Sequence, residues 1–197
     1  MSAGDEAATP GQEPGQEPGQ EPGQEPGEEP GKRRGPQEAA GKTGKPTETR
    51  NKPERPRDLL GRPLPWGAEG SLTLEDFDSL SLDENHDLGK AHADAGEWFA
   101  AHEAWETAWK QARDTDEAEL FKGLSQMGAG YVHLFRGNAH GAATLLRRAA
   151  MRVSRYEDGT RGVSTITLAE RLIADADAVD RGDIVPGHGA TVAPVEL

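Results

Sequence analysis

Four bulky side chains, Trp98, His102, Trp105 and Trp109, recur at i, i+4, i+7 and i+11. At about 100° per residue they fall within one narrow arc of a helix, flanked by Ala101, Ala108 and Ala112. The spacing predicts an amphipathic helix over about 98–112, its indoles turned into a core. A second stripe, Phe121, Leu124, Gly128, Val132 and Phe135, with Leu120, Met127, Tyr131 and Leu134 beside it, predicts a longer helix over about 117–136. An apolar arc this wide marks a central helix, contacted from several directions. Gly123, Gly128 and Gly130 each cost about 1 kcal/mol relative to alanine inside a helix. Close approach of another backbone, or of the indoles, is the expected compensation.

Punctuation residues place the remaining helices. Ser81-Leu82-Asp83-Glu84 has the spacing of a capping box and opens a first helix, which Gly96 breaks. Gly137 and Asn138 stop the central helix and start a fourth over about 139–156. That helix is expected to bury Ala142, Leu145, Ala149 and Val153 and to turn Arg148, Arg152 and Arg155 outward. Thr167-Leu168-Ala169-Glu170 reads as a second capping box, opening a fifth helix that carries Leu168, Leu172, Ala176 and Val179 and ends near Gly182. No segment reads as a strand. The fold class is all-α, a compact antiparallel bundle of about five helices over 81–182. Its expected structural core holds Trp98, Trp105, Trp109, Phe121, Leu124, Val132, Phe135, Leu145 and Leu172. The tail over 183–197 reads as loose.

Upstream, residues 10–31 read PGQEPGQEPGQEPGQEPGEEPG. Proline and glycine in every repeat forbid a helix, and no apolar face exists to offset the entropy of ordering. Residues 1–54 are therefore expected to be a disordered, low-complexity tail. One decoy sits there: GPQEAAGKT has a residue too many for a phosphate-binding P-loop, and no strand precedes it. Over 55–80 the chain turns to "RPRDLLGRPLPWGAEG". Its prolines and glycines exclude regular structure, yet Leu59, Leu60, Leu64 and Trp66 are apolar. An extended arm packing on the domain is the expected result.

Charge narrows the function. The chain has no cysteine, which removes disulfides, thiolate metal sites and thiol nucleophiles and suits a reducing compartment. It shows neither the apolar core of a signal peptide nor a run of about 20 apolar residues. The expectation is a soluble, cytoplasmic protein with no membrane contact. A formal net charge of -13 argues against general nucleic-acid binding. The acids crowd between Glu69 and Glu119, however, whereas the stretch from there to Glu157 holds only basic charges. An acidic part of the fold facing a basic part explains this most simply. A basic face for an anionic partner is the sharper alternative.

The motifs "GEWFAAHEAWETAWK" and "LFKGLSQMGAGYVHLFRGNAHGAATLLRRAA", together with the arm, resemble the domain of unknown function 309 family over about 55–182. His102, Glu103, Glu106 and Trp109 match its A-H-E-x-x-E-x-x-W helix. Gly123, Leu124, Gln126, Arg136, Gly137, Asn138, Gly141 and Ala142 match its G-L-x-Q helix and the R-G-N-x-x-G-A turn. The resemblance implies an all-α bundle and brings no known activity. His92 and Ala93 depart from it, standing where relatives tend to be apolar.

His102-Glu103-x-x-Glu106 invites comparison with the H-E-x-x-H zinc site, in which two histidines one turn apart bind metal. Here the second position is a carboxylate. The simplest reading is no metal and no cofactor, with His102 and Glu106 hydrogen-bonded and joined by Gln126 or Lys122. If a metal binds, His133 on the next helix is the candidate third ligand. The Glu-x-x-His pair of di-iron bundles is missing. Gly123-Leu124-Ser125-Gln126-Met127 lacks the last glycine of a nucleophile elbow and sits mid-helix. The "RGNAH" turn puts Arg136, Asn138 and His140 beside free N–H groups at a helix start, a candidate anion site. A non-enzymatic module is thus expected, binding a protein or small-ligand partner through a polar groove lined by His102, Glu103, Glu106, Lys122, Gln126 and His133. The alternatives are a metal-assisted or acid–base hydrolase using His102, Glu106 and His133, and anion or RNA binding through Arg136, Arg148 and Arg152.

Overall fold

The computed structural model describes residues 55–197, so the proline-glycine repeat and the disorder expected over 1–54 lie outside the described residues. Five helices follow in order: α1 (Leu82–Asp94), α2 (Trp98–Gln111), α3 (Ala118–Phe135), α4 (Ala139–Val153) and α5 (Thr165–Arg181). Single 3-10 turns precede α1 and α5. Among the described residues there is no strand beyond one isolated bridge, Arg57 to Pro63. Each helix packs chiefly on its sequence neighbours, as short antiparallel connections require. None of these helices is long and apolar enough to cross a membrane.

Local chemistry fixes most boundaries. The Ser81 capping box forms in full: the Ser81 amide donates to the Glu84 carboxylate at 2.9 Å, and the Glu84 amide donates back to the Ser81 hydroxyl at 3.3 Å. Gly137 takes φ 86°, closing α3 in the left-handed region that glycine enters most readily. The start of α5 differs from the sequence expectation. The helix begins at Thr165, two residues before the Thr167 box, and its N-cap Ser164 makes no side-chain bond. Remote groups take over: Asp158 accepts from the Ile166 amide at 3.3 Å, and the buried Thr165 hydroxyl donates to the Tyr156 carbonyl at 3.1 Å.

The core gathers on α3. Gly128 meets the backbone of α2, where an added Cβ would lie 2.9–3.0 Å from the N, Cα and Cβ of His102. Gly123 and Gly130 meet α4 instead, at Val153 and Leu146. That contact explains a correction on α4: Leu146 is buried against Gly130, while Leu145 is only half-buried. The buried positions Ala142, Leu146, Ala149 and Val153 follow the i, i+4, i+7, i+11 rhythm. On the other side, Trp98 and Trp105 are 5% and 0% exposed, and Trp109 and Phe135 pack half-buried at the rim.

Trp105 is tied as well as buried. Its indole lies over Gly89 of α1 and donates Nε1–H to His86 Nδ1 at 3.2 Å. With Nδ1 accepting, His86 carries its proton on Nε2 and donates it to the Arg161 carbonyl at 2.9 Å. Arg161 is the one described non-glycine residue at positive φ, 55°. Its guanidinium holds that turn by bridging Asp83 at 2.6 Å and Glu117 at 2.5 Å.

The two flanking segments depart from expectation. The 55–80 arm folds back on itself rather than running extended. Asp58 is its hub, accepting from the Leu60 and Arg62 amides, and Leu64 N–H donates to the Pro56 carbonyl. It touches the bundle where Gly61 lies on Phe99, and Arg136 donates to the Leu60 carbonyl. Leu59 and Trp66, expected to pack, are 61% and 65% exposed, because the fold-back turns them outward. The tail, expected to be loose, is held: Val195 is buried, the Gly187 amide donates to the Leu134 carbonyl at 2.9 Å, and Arg171 donates to the carbonyls of Ala193 and Pro194. Arg171 is itself oriented by Asp175, which also accepts from the buried Tyr131 hydroxyl at 2.7 Å.

Two outcomes test this packing. Gly128→Ala gains about 1 kcal/mol of helix propensity, but its methyl has only α2 backbone to displace. We expect a net loss of about 1–3 kcal/mol in urea unfolding; an unchanged midpoint would contradict the close approach. For His86, burial is the largest influence and pushes the imidazole below its ordinary value, against the opposing pull of the Arg161 carbonyl. A depressed folded pKa means that the unfolded chain takes up the proton first. This contribution to stability is therefore complete above pH of about 6.5 and is lost as the pH falls toward the folded value. The melting temperature should drop more between pH 7.5 and 5 in the parent chain than in His86→Gln, and equal drops would exclude His86 as the cause.

Candidate functional site

The α2–α3 contact at Gly128 sets the height of His102 against α3. There His102 Nδ1–H donates to the Ser125 carbonyl at 3.0 Å, with the Ser125 hydroxyl 2.9 Å from the same nitrogen. A carbonyl only accepts, so this bond puts a proton on Nδ1 and makes Nε2 the nitrogen that faces outward. Nε2 lies 3.4 Å from Glu106 Oε2 and 3.9 Å from Glu103 Oε1. One donor atom from each of the three residues falls within 4.8 Å of the others, and all three side chains are half-buried. Lys110 neutralises the outer oxygen of Glu106 at 2.9 Å.

The other residues singled out by the sequence are only partly brought to this edge. His133 Nδ1 accepts from the Asn138 side chain at 2.8 Å, and His133 does not belong to the three-residue cluster. His133 thus stands apart from His102 and Glu106, and the carboxylate that joins them is Glu103, next to His102 in sequence. Burial, then the charges of Arg136 and His102, push the His133 imidazole below its ordinary value. Lys122 leaves the groove to sit 4.9 Å over the Trp109 ring and 3.8 Å from Glu119. The Gln126 carbonyl oxygen is buried with no partner among the described residues, so neither Lys122 nor Gln126 joins His102 to Glu106.

The anion site read into "RGNAH" is not assembled. Asn138 itself accepts from the Gly141 amide at 2.9 Å, filling the helix start. His140 is exposed, and Arg136 turns away to the arm. On α4, Arg152 lies 3.5 Å from Glu119 and Arg147 reaches Asp177 and Asp180 of α5, so much of the basic stretch faces acids of the same fold. Arg148 stays exposed on the outer face.

Arg136 instead joins a group that the sequence pattern does not single out. Arg55, Arg57 and Arg62 from the arm line, with it, a cavity of about 820 Å³ that reaches Phe99 and Glu103 of α2. The only signal was three arginines spaced among prolines over 55–62, and in one dimension nothing connects them to residue 136. A second cavity of about 700 Å³ lies between the arm and the start of α2 and is lined by Leu60, Leu72, Glu97 and Phe135.

A small all-α bundle with a histidine–carboxylate edge on its second helix is thus the class that the fold and site define. Residues 87–145 match the family model described as "Domain of unknown function (DUF309)", the family that the motifs resemble. The match runs from within α1 into α4 and takes in the whole His102 edge, leaving the arm and α5 outside. No curated protein and no solved structure matches the chain.

Proposed function

We propose that the domain is a binding module whose site is the polar edge of α2, and that its ligand there is a divalent transition-metal cation. One observation carries the reading: a histidine whose inner nitrogen is held by the Ser125 carbonyl turns its outer nitrogen toward two carboxylates at 3.4 and 3.9 Å. Two ligand atoms each about 2.1 Å from one cation lie about 3–3.5 Å apart, so small side-chain shifts close the set. The Ser125 carbonyl does for His102 what outer-shell acceptors do for metal-bound imidazoles, fixing both tautomer and ring plane. An imidazole with two carboxylates suits manganese, iron or zinc, and three protein ligands leave positions open. Half-exposure of the three side chains gives the ion a way in.

Calorimetric titration of the metal-free chain with Mn2+ and Zn2+ tests this. We expect one saturable site, lost in His102→Ala and weakened at least about tenfold in Glu106→Gln. If neither ion binds, or both variants bind as the parent does, the cation reading fails. A purely packing role for the pair would then show as a lower melting temperature in Glu106→Ala with no response to metal.

A further inference from the structure

The arginine-lined cavity is chemically unlike the α2 edge beside it. Four arginines, Arg55, Arg57, Arg62 and Arg136, line it, and among the described residues none of their guanidinium groups lies within 4.0 Å of a carboxylate. Glu103 is the only acid in the lining. Asp58, close by, already accepts two amides of the arm. The arginines are held by groups other than carboxylates: Arg57 donates to the Gly61 carbonyl at 2.8 Å, Arg62 lies 3.1 Å from His188 Nε2, and Arg136 donates to the Leu60 carbonyl. Each such bond uses one of five N–H donors and no charge. Arg136 Nε is buried with no partner among the described residues. Burial, followed by the repulsion of Arg62, weakens the hold of Arg136 on its proton, against the attraction of Asp58.

We infer that this cavity binds a small organic phosphate. Four like charges with no carboxylate in contact outnumber the two acids nearby, Glu103 and Asp58, and favour an anion in their midst, and guanidinium forks match the paired oxygens of a phosphate. A surplus of this size suits a dianion better than a monocarboxylate. Leu72, Leu74 and Phe99 give the same cavity an apolar wall against which an organic group can pack. Its volume of about 820 Å³ lies in the range of small-ligand pockets. The two sites share Glu103, but the inference does not rest on the cation reading, because none of the four arginines belongs to the His102 cluster.

Phenyl phosphate, inorganic phosphate and benzoate, each titrated into the full chain with EDTA present, decide the matter. We expect saturable binding of phenyl phosphate, tighter than that of the other two and weakening as salt rises. Arg57→Ala and Arg62→Ala should each weaken it about tenfold, the loss of one charge-assisted pair, while Arg148→Ala on the outer face of α4 should not. Far-UV circular dichroism and melting curves of each variant establish that the fold persists, and Arg62→Lys should recover part of the affinity. Absence of saturable phenyl phosphate binding overturns the inference, as does binding that the arm variants leave intact. Benzoate binding as tightly as phenyl phosphate would overturn the choice of phosphate. Binding that appears only when a divalent cation replaces EDTA would assign the anion to the α2 edge and overturn the arginine site, whereas failure of the cation reading alone leaves this outcome untouched.

Discussion

At Gly128, α2 and α3 come close enough that a single methyl group would not fit between them. Much of the molecule depends on that contact. It brings His102 down onto the Ser125 carbonyl, which orients the ring and leaves its outer nitrogen beside Glu103 and Glu106. It seats Trp98 against Tyr131, with ring centroids 4.2 Å apart, and Tyr131 in turn donates to Asp175 of α5. One glycine therefore couples the apolar centre of the bundle to its polar edge. Closeness of this kind trades helix propensity for contact area, and the gain comes from packing at near-crystalline density.

Charge is organised around the bundle in the same economical way. Acids of α5, of the first turn of α3 and of the residue before it take up Arg147, Arg152 and Arg161. Among the described residues, four arginines without a carboxylate within 4.0 Å gather where the arm meets the end of α3. A chain of net charge -13 thus keeps a local positive region, which its total charge conceals.

The helices were legible because each carries its own periodicity and its own stops. Ser81 with Glu84, Gly96 and Gly137 act within a few residues of themselves, and short-range chemistry can be read along a line. Thr167 shows the limit. Its box is a valid local signal, overridden by Asp158 and Tyr156, which reach the helix start from an earlier loop. Leu145 and Leu146 differ by one step of about 100°, less than a periodic stripe alone resolves. Trp105 was readable as apolar, but its hydrogen bond to His86 was not, because α1 and α2 meet only in three dimensions. At the site, the His102–Glu106 pairing followed from helical spacing. The loss of His133 to Asn138 and the meeting of Arg136 with the arm depend on how a turn closes and where a loop without regular structure lies. Nothing in composition records either.

The fold-back over 55–66 meets the bundle through Gly61 on Phe99 and Arg136 on the Leu60 carbonyl, and it exposes Leu59 and Trp66 to solvent. Three of the four cavity cations travel with it, whereas the fourth is rooted in the helical body. Whatever spans them acts as a clasp. Part of the free energy of occupancy becomes docking energy for the arm, by the mass-action linkage that couples any ligand to the form that binds it. Filling and fastening are then a single equilibrium.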